Sequence, residues 1–290
     1  MEALKVQWFP GHMAKTRRLM EANLKLVDIV AELLDARVPY SSRNPEIDRI
    51  VGSKPRMIIL NKCDMANPVA TKKWVEHFKS LNIPTVAVDC KKGKGLSEIP
   101  VAAREALKEE LLKREKKGNA AQPIRMMIVG IPNVGKSSLI NRLSGSKKAK
   151  VEDRPGVTKG KQWVRMGDSV ELLDMPGVLW PKFDDELVGE KLAFIGSVKD
   201  DVVDVEYMAM RLLKLFNEQY PKQMMDRYKI AEGETDGLEP YQLLELVGKK
   251  RGMLISGGEI NTERAAITVM DEYRKGDLGK ITLELPEEFN

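Results

Sequence analysis

The chain has 290 residues, of which 42% are hydrophobic and 31% are charged, and its formal net charge is +5. This balance is typical of a soluble globular protein with room for two domains, and no apolar run reaches the ~18 residues that a membrane span needs. Two cysteines do not make a disulfide framework, and the first ten residues lack the basic start and apolar core of a signal peptide, so we expect a cytoplasmic protein.

The excess of basic over acidic residues lies in the first 130 residues, which carry 24 Lys and Arg against 15 Asp and Glu. RNA could dock on such a surface by releasing counterions, although charge alone fits a solvated surface equally well. Near the N-terminus, Trp8-Phe-Pro-Gly-His-Met13 precedes a basic amphipathic segment, and this pattern predicts a loop that enters a helix. His12 on that loop could hold an imidazole near a reacting centre, but a Gly-His pair taken alone favours a structural role.

The apolar run 56–60 predicts a strand, and Asn61, Lys62, Cys63 and Asp64 follow it directly. These four residues match the N-K-x-D pattern of guanine-binding proteins. The Asp64 carboxylate would accept hydrogen bonds from the guanine N1–H and exocyclic amine, whereas adenine presents an acceptor at N1. Sites built on such bonds reject the wrong partner by on the order of 10⁴ or more. The pattern therefore predicts a guanine site.

After the next predicted strand, 84–88, Asp89, Cys90 and Lys91 stand where GTPases usually carry Ser-Ala-Lys. The usual contact with guanine O6 is made mainly by backbone N–H groups, so we expect Asp89 and Cys90 to border the base. Asp89 departs from the usual serine. Cys63 and Cys90 would flank the pocket as small buried fillers; the alternative hypothesis is that thiol modification blocks nucleotide binding.

A polar linker, 113–122, ends at a predicted buried strand, 126–129, and the phosphate-binding pattern G-x-x-x-x-G-K-[ST] follows. Backbone N–H groups of such a loop turn inward around a β-phosphate, with Gly130 and Gly135 where a Cβ would clash. The next helix then points its positive end at the phosphates. The predicted nucleotide contacts in this loop are Asn133, Val134, Gly135, Lys136, Ser137 and Ser138.

Two switch elements follow the P-loop. Thr158 lies in a polar connection, where its hydroxyl would join that of Ser137 on magnesium. Asp174 ends a predicted hairpin and begins a D-x-x-G pattern, in which Asp174 holds magnesium through water and the Gly177 N–H meets the γ-phosphate. Lys136, Thr158 and Gly177 are therefore predicted to act on the phosphate that is transferred, and its loss would release both loops.

The C-terminal part is predicted to be mostly helical from residue 205, because apolar residues between 202 and 216 repeat at three- and four-residue steps. We expect residues 1–204 to form the nucleotide-binding domain and residues 205–290 a helical domain with an RNA contact. Its best RNA candidate is Lys249-Lys-Arg251, which fits the cation preference of a helix C-terminus equally well. Residues 281–285 are expected to be strand-like or extended.

The motif order, base pattern before P-loop before D-x-x-G, is a rotation of the usual GTPase order. The chain resembles the circularly permuted GTPases, most closely the YlqF-type ribosome biogenesis GTPase A family. The resemblance implies an α/β fold, a circularly permuted Ras-like domain with helices on both faces of a mostly parallel sheet. It also implies a cytoplasmic GTPase that binds the immature large ribosomal subunit and its rRNA during late assembly. The segments that carry it are 8–13, 35–37, 61–64, 130–138, 155–158, 174–177, 248–252 and 257–260.

The residue after D-x-x-G is Val178, where Ras-like enzymes have glutamine. An apolar side chain cannot orient the attacking water, so slow intrinsic hydrolysis and outside help are expected. His12 is one candidate, since its segment is shared with the resembled family. Asn133 is similar to the asparagine that ligates potassium in several related GTPases, so potassium is another candidate, and RNA is a third.

Other function classes compatible with these motifs are a GTPase switch on another RNA, such as tRNA, or on a membrane. A nucleotide kinase is poorly supported, because the switch elements describe a GTPase and no acceptor-substrate motif is seen. The expected cofactors are GTP or GDP and magnesium, with potassium as a further candidate. We expect no membrane or DNA partner, and no pattern demands a dimer, so the chain is expected to be monomeric.

Overall fold

The computed structural model describes residues 10–119, 121–143, 163–167, 169–175, 177 and 185–289, with side chains from residue 17 onwards. Of the predicted functional residues, Thr158 and Val178 lie outside this part of the chain, and so does the side chain of His12. Within the described residues, no helix is long and apolar enough to cross a lipid bilayer.

In the part of the chain that the structure describes, the strands form one six-stranded sheet in the order β3-β2-β1-β4-β6-β5, parallel except for β5, which runs antiparallel to β6. Every residue of β1 is buried, as is typical of a parallel sheet covered on both faces. The predicted α/β class is confirmed. The strands are β1 (Ile29–Asp35), β2 (Arg56–Asn61), β3 (Thr85–Ala87), β4 (Ile124–Val129), β5 (Trp163–Met166) and β6 (Val170–Asp174).

The sheet order shows how the rotated motif order is accommodated. β1 lies between β2, which leads to the base pattern, and β4, which leads to the P-loop; Asp35 pairs with Asn61, and Ile29 with Met126. Because parallel strands end at one edge of a sheet, the loops after β1, β2, β3, β4 and β6 meet there. The permuted Ras-like fold expected from the sequence is confirmed.

The helices between and before these strands are set by local sequence signals. Asn44 and Asn67 cap α2 and α3 through side-chain oxygens that accept backbone N–H groups, and a proline follows each cap at the first helical position. The helices of this part are α1 (Pro10–Leu24), α2 (Pro45–Val51), α3 (Pro68–Ser80), α4 (Ile99–Ala106), α5 (Lys108–Lys116) and α6 (Lys136–Leu143).

The N-terminal prediction needs a correction. The sequence was expected to form a loop through Met13, but α1 begins at Pro10, so the backbone of His12 belongs to the first helical turn. Proline at this position is tolerated, because the first N–H groups of a helix have no intrahelical partner and the ring fixes a helical φ.

The described chain packs as two compact units. One comprises residues 10–177 together with 282–289, and the other comprises residues 185–281. The structure thus groups residues 185–204 with the second unit and residues 282–289 with the first. The functional division predicted at residues 204 and 205 stays a prediction.

The second unit is helical. In it α8 packs against α10 and α11 through buried residues such as Leu212, Phe216 and Tyr273. Asn261 caps α11 by accepting the N–H of Arg264 through its side-chain oxygen. The helices are α7 (Glu186–Phe194), α8 (Val205–Gln219), α9 (Pro221–Tyr228), α10 (Pro240–Lys250) and α11 (Thr262–Lys275).

The C-terminal residues 282–289, here called the C-terminal tail, have no helix or strand as far as Leu285 and then form a short 3₁₀ turn, Pro286–Phe289, in the first unit. The buried Glu284 carboxylate accepts hydrogen bonds from the backbone N–H groups of Tyr40 (2.7 Å) and Ser41 (3.1 Å). Trp74 Nε1 donates to the Glu284 carbonyl at 2.9 Å. The Leu283 N–H donates to the Arg37 carbonyl at 2.8 Å. The tail is therefore fixed to the segment that follows β1.

Replacing Glu284 by alanine should lower the free energy of unfolding by roughly 2 to 3 kcal/mol, because two backbone donors lose a charged, buried acceptor. Urea denaturation followed by tryptophan fluorescence measures this. The matched control is Glu287→Ala, which removes a mostly exposed ion pair with Lys73 in the same tail and should change stability little. Equal effects of the two substitutions would contradict the assigned role of Glu284.

Candidate functional site

Positions 130 and 135 of the P-loop have no room for a side chain, because β1 and the base-pattern loop pack against them. A Cβ at Gly130 would lie 2.6 Å from the carbonyl oxygen of Leu33 on β1. A Cβ at Gly135, where φ is 101°, would lie 2.3 Å from Nδ2 of Asn61. Both distances are shorter than any carbon contact allows, so close packing of β1 and the base-pattern loop explains both glycines.

Lys136 begins α6 and turns back over the P-loop. Its Nζ donates hydrogen bonds to the carbonyls of Gly130 (3.0 Å) and Ile131 (2.9 Å). Burial lowers the pKa of Lys136 to about 8, while the Asp174 carboxylate raises it. A Cβ at Gly177 would lie 2.9 Å from this Nζ. The structure therefore brings together the P-loop cation and the D-x-x-G pattern, as expected for a γ-phosphate site.

Asn61 connects the base-binding loops to the P-loop. Its Nδ2 donates to the carbonyl of Val134 at 2.8 Å, and its Oδ1 accepts the N–H of Cys90 at 3.2 Å. The side chain is buried, so these bonds are shielded from water. Asn61 thus holds the two halves of the site together; its direct contact with a nucleotide stays a prediction.

Lys62 makes a second connection between the same loops. Its Nζ donates to the carbonyl of Asn133 at 2.8 Å and forms an ion pair with Asp35 at 2.9 Å. Its backbone φ is 62°, an uncommon value for a residue with a side chain and one often found at functional sites. The side chains of Asn133, Ser137 and Ser138 are exposed, where a ligand could reach them.

The loop after β3 is shaped by Asp89, the residue that departs from the usual serine. Its carboxylate accepts the backbone N–H groups of Lys91 (2.9 Å) and Lys92 (3.0 Å) and so closes a tight turn. Arg142 of α6 donates to the carbonyl of Lys92 at 3.1 Å, which links this turn to the P-loop helix. The Asp89 carboxylate is buried, and it makes these hydrogen bonds within its own loop.

The two thiols lie in this region and differ in exposure. Cys90 is buried, and burial raises the pKa of its thiol to about 12. Burial also raises the pKa of the half-buried Cys63, with a further rise from the carboxylates of Asp64 and Asp89. Thiols that stay protonated react slowly, so the structure favours the role of buried filler over that of a modification site.

The residues expected to hold magnesium supply suitable oxygens. The Ser137 hydroxyl lies in the first turn of α6, and the half-buried Asp174 carboxylate ends β6. Burial raises the pKa of Asp174, and Lys136 lowers it, so a nearby cation is favourable there. Magnesium in phosphate sites is held by one or two protein oxygens plus phosphates. The described residues contain no cluster of three or more His, Cys, Asp or Glu side chains placed for a metal, and such a site needs none.

Sequence reasoning missed the role of Asp35, which was noted only as part of a shared motif. Its carboxylate is fully buried and ion-paired with Lys62 and Arg37. The available signal was an Asp and an Arg placed directly after an apolar strand, since charged residues are almost never fully buried unless they are paired.

Replacing Asp64 by asparagine should transfer preference from guanosine to xanthosine nucleotides, because an amide can donate to the xanthine O2 but opposes the guanine amine. GDP affinity should fall by at least about 100-fold. The matched control is Asp89→Asn, whose carboxylate serves its own loop and which should keep guanosine preference. Competition binding with GDP and XDP measures both; strict guanosine preference in Asp64→Asn would contradict the pocket assignment.

Comparison with known proteins places this site in context. A family model described as a 50S ribosome-binding GTPase matches residues 125–249. The chain is 48% identical over 284 residues to Ribosome biogenesis GTPase A of Bacillus licheniformis, covering 98% of this chain and 99% of that protein. It is 32% identical to the protein of the same name from Thermotoga maritima, covering 98% and 96%.

Solved structures of YlqF are also similar. A GDP-bound structure superposes with a TM-score of 0.67 at 28% identity, covering 93% of this chain and all of the other. A GNP-bound structure from T. maritima superposes with a TM-score of 0.66 at 28% identity, covering 94% and 99%. The similarity therefore extends over both packing units.

Proposed function

The chain belongs to the ribosome biogenesis GTPase A family, and we propose that it acts late in maturation of the large ribosomal subunit, with GTP turnover stimulated by that particle. The reaction is hydrolysis of GTP to GDP and phosphate. The observation that carries the proposal is similarity over nearly the whole chain to proteins of this name. The hydrogen bonds that join the guanine-binding loop to the P-loop support it. The action would take place in the cytoplasm, by a monomeric protein.

In this proposal the protein positions GTP and does little covalent chemistry. Asp64 reads the base, and the P-loop N–H groups with Lys136 hold the phosphates. Ser137, Thr158 and Asp174 would hold magnesium, which offsets the charge on the phosphate oxygens. Gly177 lies beside Lys136, so its N–H is close enough to the P-loop to respond to the γ-phosphate.

Slow intrinsic hydrolysis is part of the proposal, since Val178 cannot orient water. The missing positioning would come from His12 of the chain itself, from RNA, or from a potassium ion held at Asn133. A contribution from the RNA of the bound particle would make turnover depend on the assembly state of the partner. The protein would then act as a GTP-dependent check on assembly.

Two surfaces are candidates for the rRNA contact, the triplet Lys249-Lys-Arg251 and the basic N-terminal part. Lys249-Lys-Arg251 stands at the C-terminus of α10, where Lys250 is ion-paired with Glu234 and Arg251 with Glu272. These bonds favour the helix-terminal interpretation of the triplet. The basic N-terminal part, with its excess of Lys and Arg, is therefore the better supported docking surface for rRNA.

GTP turnover should rise at least about tenfold when purified immature large subunits are added in potassium chloride, because positioning of the attacking water is a large part of phosphoryl transfer. GTP-dependent co-sedimentation with the same particles should accompany it. The controls are tRNA and anionic vesicles. Co-sedimentation with either of these and not with large subunits would favour the alternative targets. Unchanged turnover after potassium is replaced by sodium would remove the cation role of Asn133.

His12→Ala should lower the particle-stimulated turnover by about 100-fold if the imidazole assists hydrolysis, with GTP affinity near that of the parent protein. The control is His77→Ala, in α3, which contacts the ring of Trp74 and should leave turnover unchanged. Single-turnover hydrolysis and equilibrium GTP binding separate the two quantities. Equal loss of affinity and turnover in His12→Ala would instead assign His12 a structural role.

A further inference from the structure

Asp35 ends β1 with a carboxylate that solvent does not reach. Its Oδ1 accepts hydrogen bonds from the backbone N–H (3.1 Å) and Nε (2.9 Å) of Arg37. Its Oδ2 accepts from Arg37 Nη2 at 2.8 Å and lies 2.9 Å from Lys62 Nζ. One buried carboxylate therefore binds two cations in a fixed geometry.

The Arg37 guanidinium is also buried and holds the carboxylate from one side. This leaves Oδ2 directed to Lys62, whose side chain is only 20% exposed. The same Lys62 Nζ donates to the carbonyl of Asn133 in the P-loop at 2.8 Å. The lysine thus lies between a fixed anion and the backbone of the phosphate loop.

The sheet order explains this arrangement. β1 lies between β2 and β4, so the end of β1 separates the base-pattern loop from the P-loop. The side chain of a lysine that follows β2 can reach the P-loop only by crossing the end of β1. Asp35 is the residue at that crossing, and its contact with Lys62 spans neighbouring strand ends.

We propose that Asp35 is a positioning residue of the nucleotide site, which holds Lys62 against the P-loop and thereby sets the affinity for guanine nucleotides. Asp35 itself touches neither the nucleotide nor the reacting phosphate. The role concerns binding and leaves the rate of the hydrolysis step unchanged. It rests on guanine-nucleotide binding and is independent of the proposed ribosomal partner, so failure of either leaves the other standing.

The charges around Lys62 also support a positioning role for Asp35. Burial lowers the pKa of the Lys62 ammonium, and Arg37 and Lys91 lower it further, whereas Asp35 raises it. Asp35 comes from β1, Arg37 from the segment after β1, and Lys91 from the segment after β3. Without Asp35 the lysine would face two cations in a largely buried position, so it would lose its proton or move towards solvent.

The test is a double-mutant cycle with Asp35→Asn, Lys62→Met and the double variant, read out by equilibrium binding of GDP and of a non-hydrolysable GTP analogue. Asp35→Asn should weaken both nucleotides about tenfold, and it should have no further effect in the Lys62→Met background. Single-turnover hydrolysis of bound GTP should stay within about twofold of the parent protein. Independent effects that multiply in the double variant would overturn the proposal.

A matched control separates positioning from stability. Glu190 is a buried carboxylate in the second unit, held by two bonds from Arg211 at 2.9 and 3.1 Å. Glu190→Gln should lower stability, as Asp35→Asn does, but leave GDP affinity unchanged. Nucleotide affinity that falls equally in both variants would show that general destabilisation is the cause.

The pH profile gives a second measurement. In Asp35→Asn the Lys62 pKa falls further, and because the protonated ammonium makes the stronger contact, the decline of GDP affinity with rising pH should begin at a lower pH than in the parent protein. The double variant with Lys62→Met should lose this shift. A decline for Asp35→Asn over the same pH range as in the parent protein counts against the proposal.

If Asp35→Asn does not fold, Ser42→Ala takes its place. The Ser42 hydroxyl accepts the backbone N–H of Asp35 at 3.1 Å, so its removal should loosen the backbone that carries the carboxylate without removing the charge. GDP binding about threefold weaker, with the difference abolished in the Lys62→Met background, is expected. Unchanged affinity in Ser42→Ala would then overturn the proposal.

Discussion

The nucleotide site depends on the buried amide of Asn61. Its two bonds hold the P-loop at Val134 and the loop after β3 at Cys90, and they need a glycine at position 135 because no Cβ fits beside the amide. An unpaired buried amide is costly, so both bonds must form when the site forms. The phosphate and base halves are therefore assembled together, before any ligand contributes.

This constraint also explains why the rotated chain order is compatible with a standard site. The bonds of Asn61 and Lys62 join loops that follow β2, β3 and β4, which are parallel strands of one sheet and end at the same edge, so their geometry is set by the sheet. Whether β2 comes before or after β4 in the sequence does not alter these distances. What the rotation changes is the position of the chain ends: the chain leaves the first unit after the D-x-x-G segment and returns to it at Thr282.

The C-terminal tail, with which the chain returns to the first unit, is fixed there by buried polar groups. Glu284 accepts backbone N–H groups of the segment after β1, and Leu283 donates to the carbonyl of Arg37, whose side chain holds Asp35. Asp35 in turn is bonded to Lys62 in the base pattern. A continuous set of short polar contacts thus connects the C-terminal tail to the nucleotide site, within one packing unit.

The sequence alone determined the permuted motif order and the loops that form the site, because these depend on local patterns: apolar runs, glycine spacing and short motifs at strand ends. The fold class followed from the family resemblance that these motifs carry. Tertiary structure alone decided the contacts of Asp35, the bonds of Asp89 and Lys250 to other groups of the chain, and the place of residues 282–289. Such contacts join residues distant in the chain, or direct a side chain inward that could equally have faced solvent, and composition and periodicity carry no information about either.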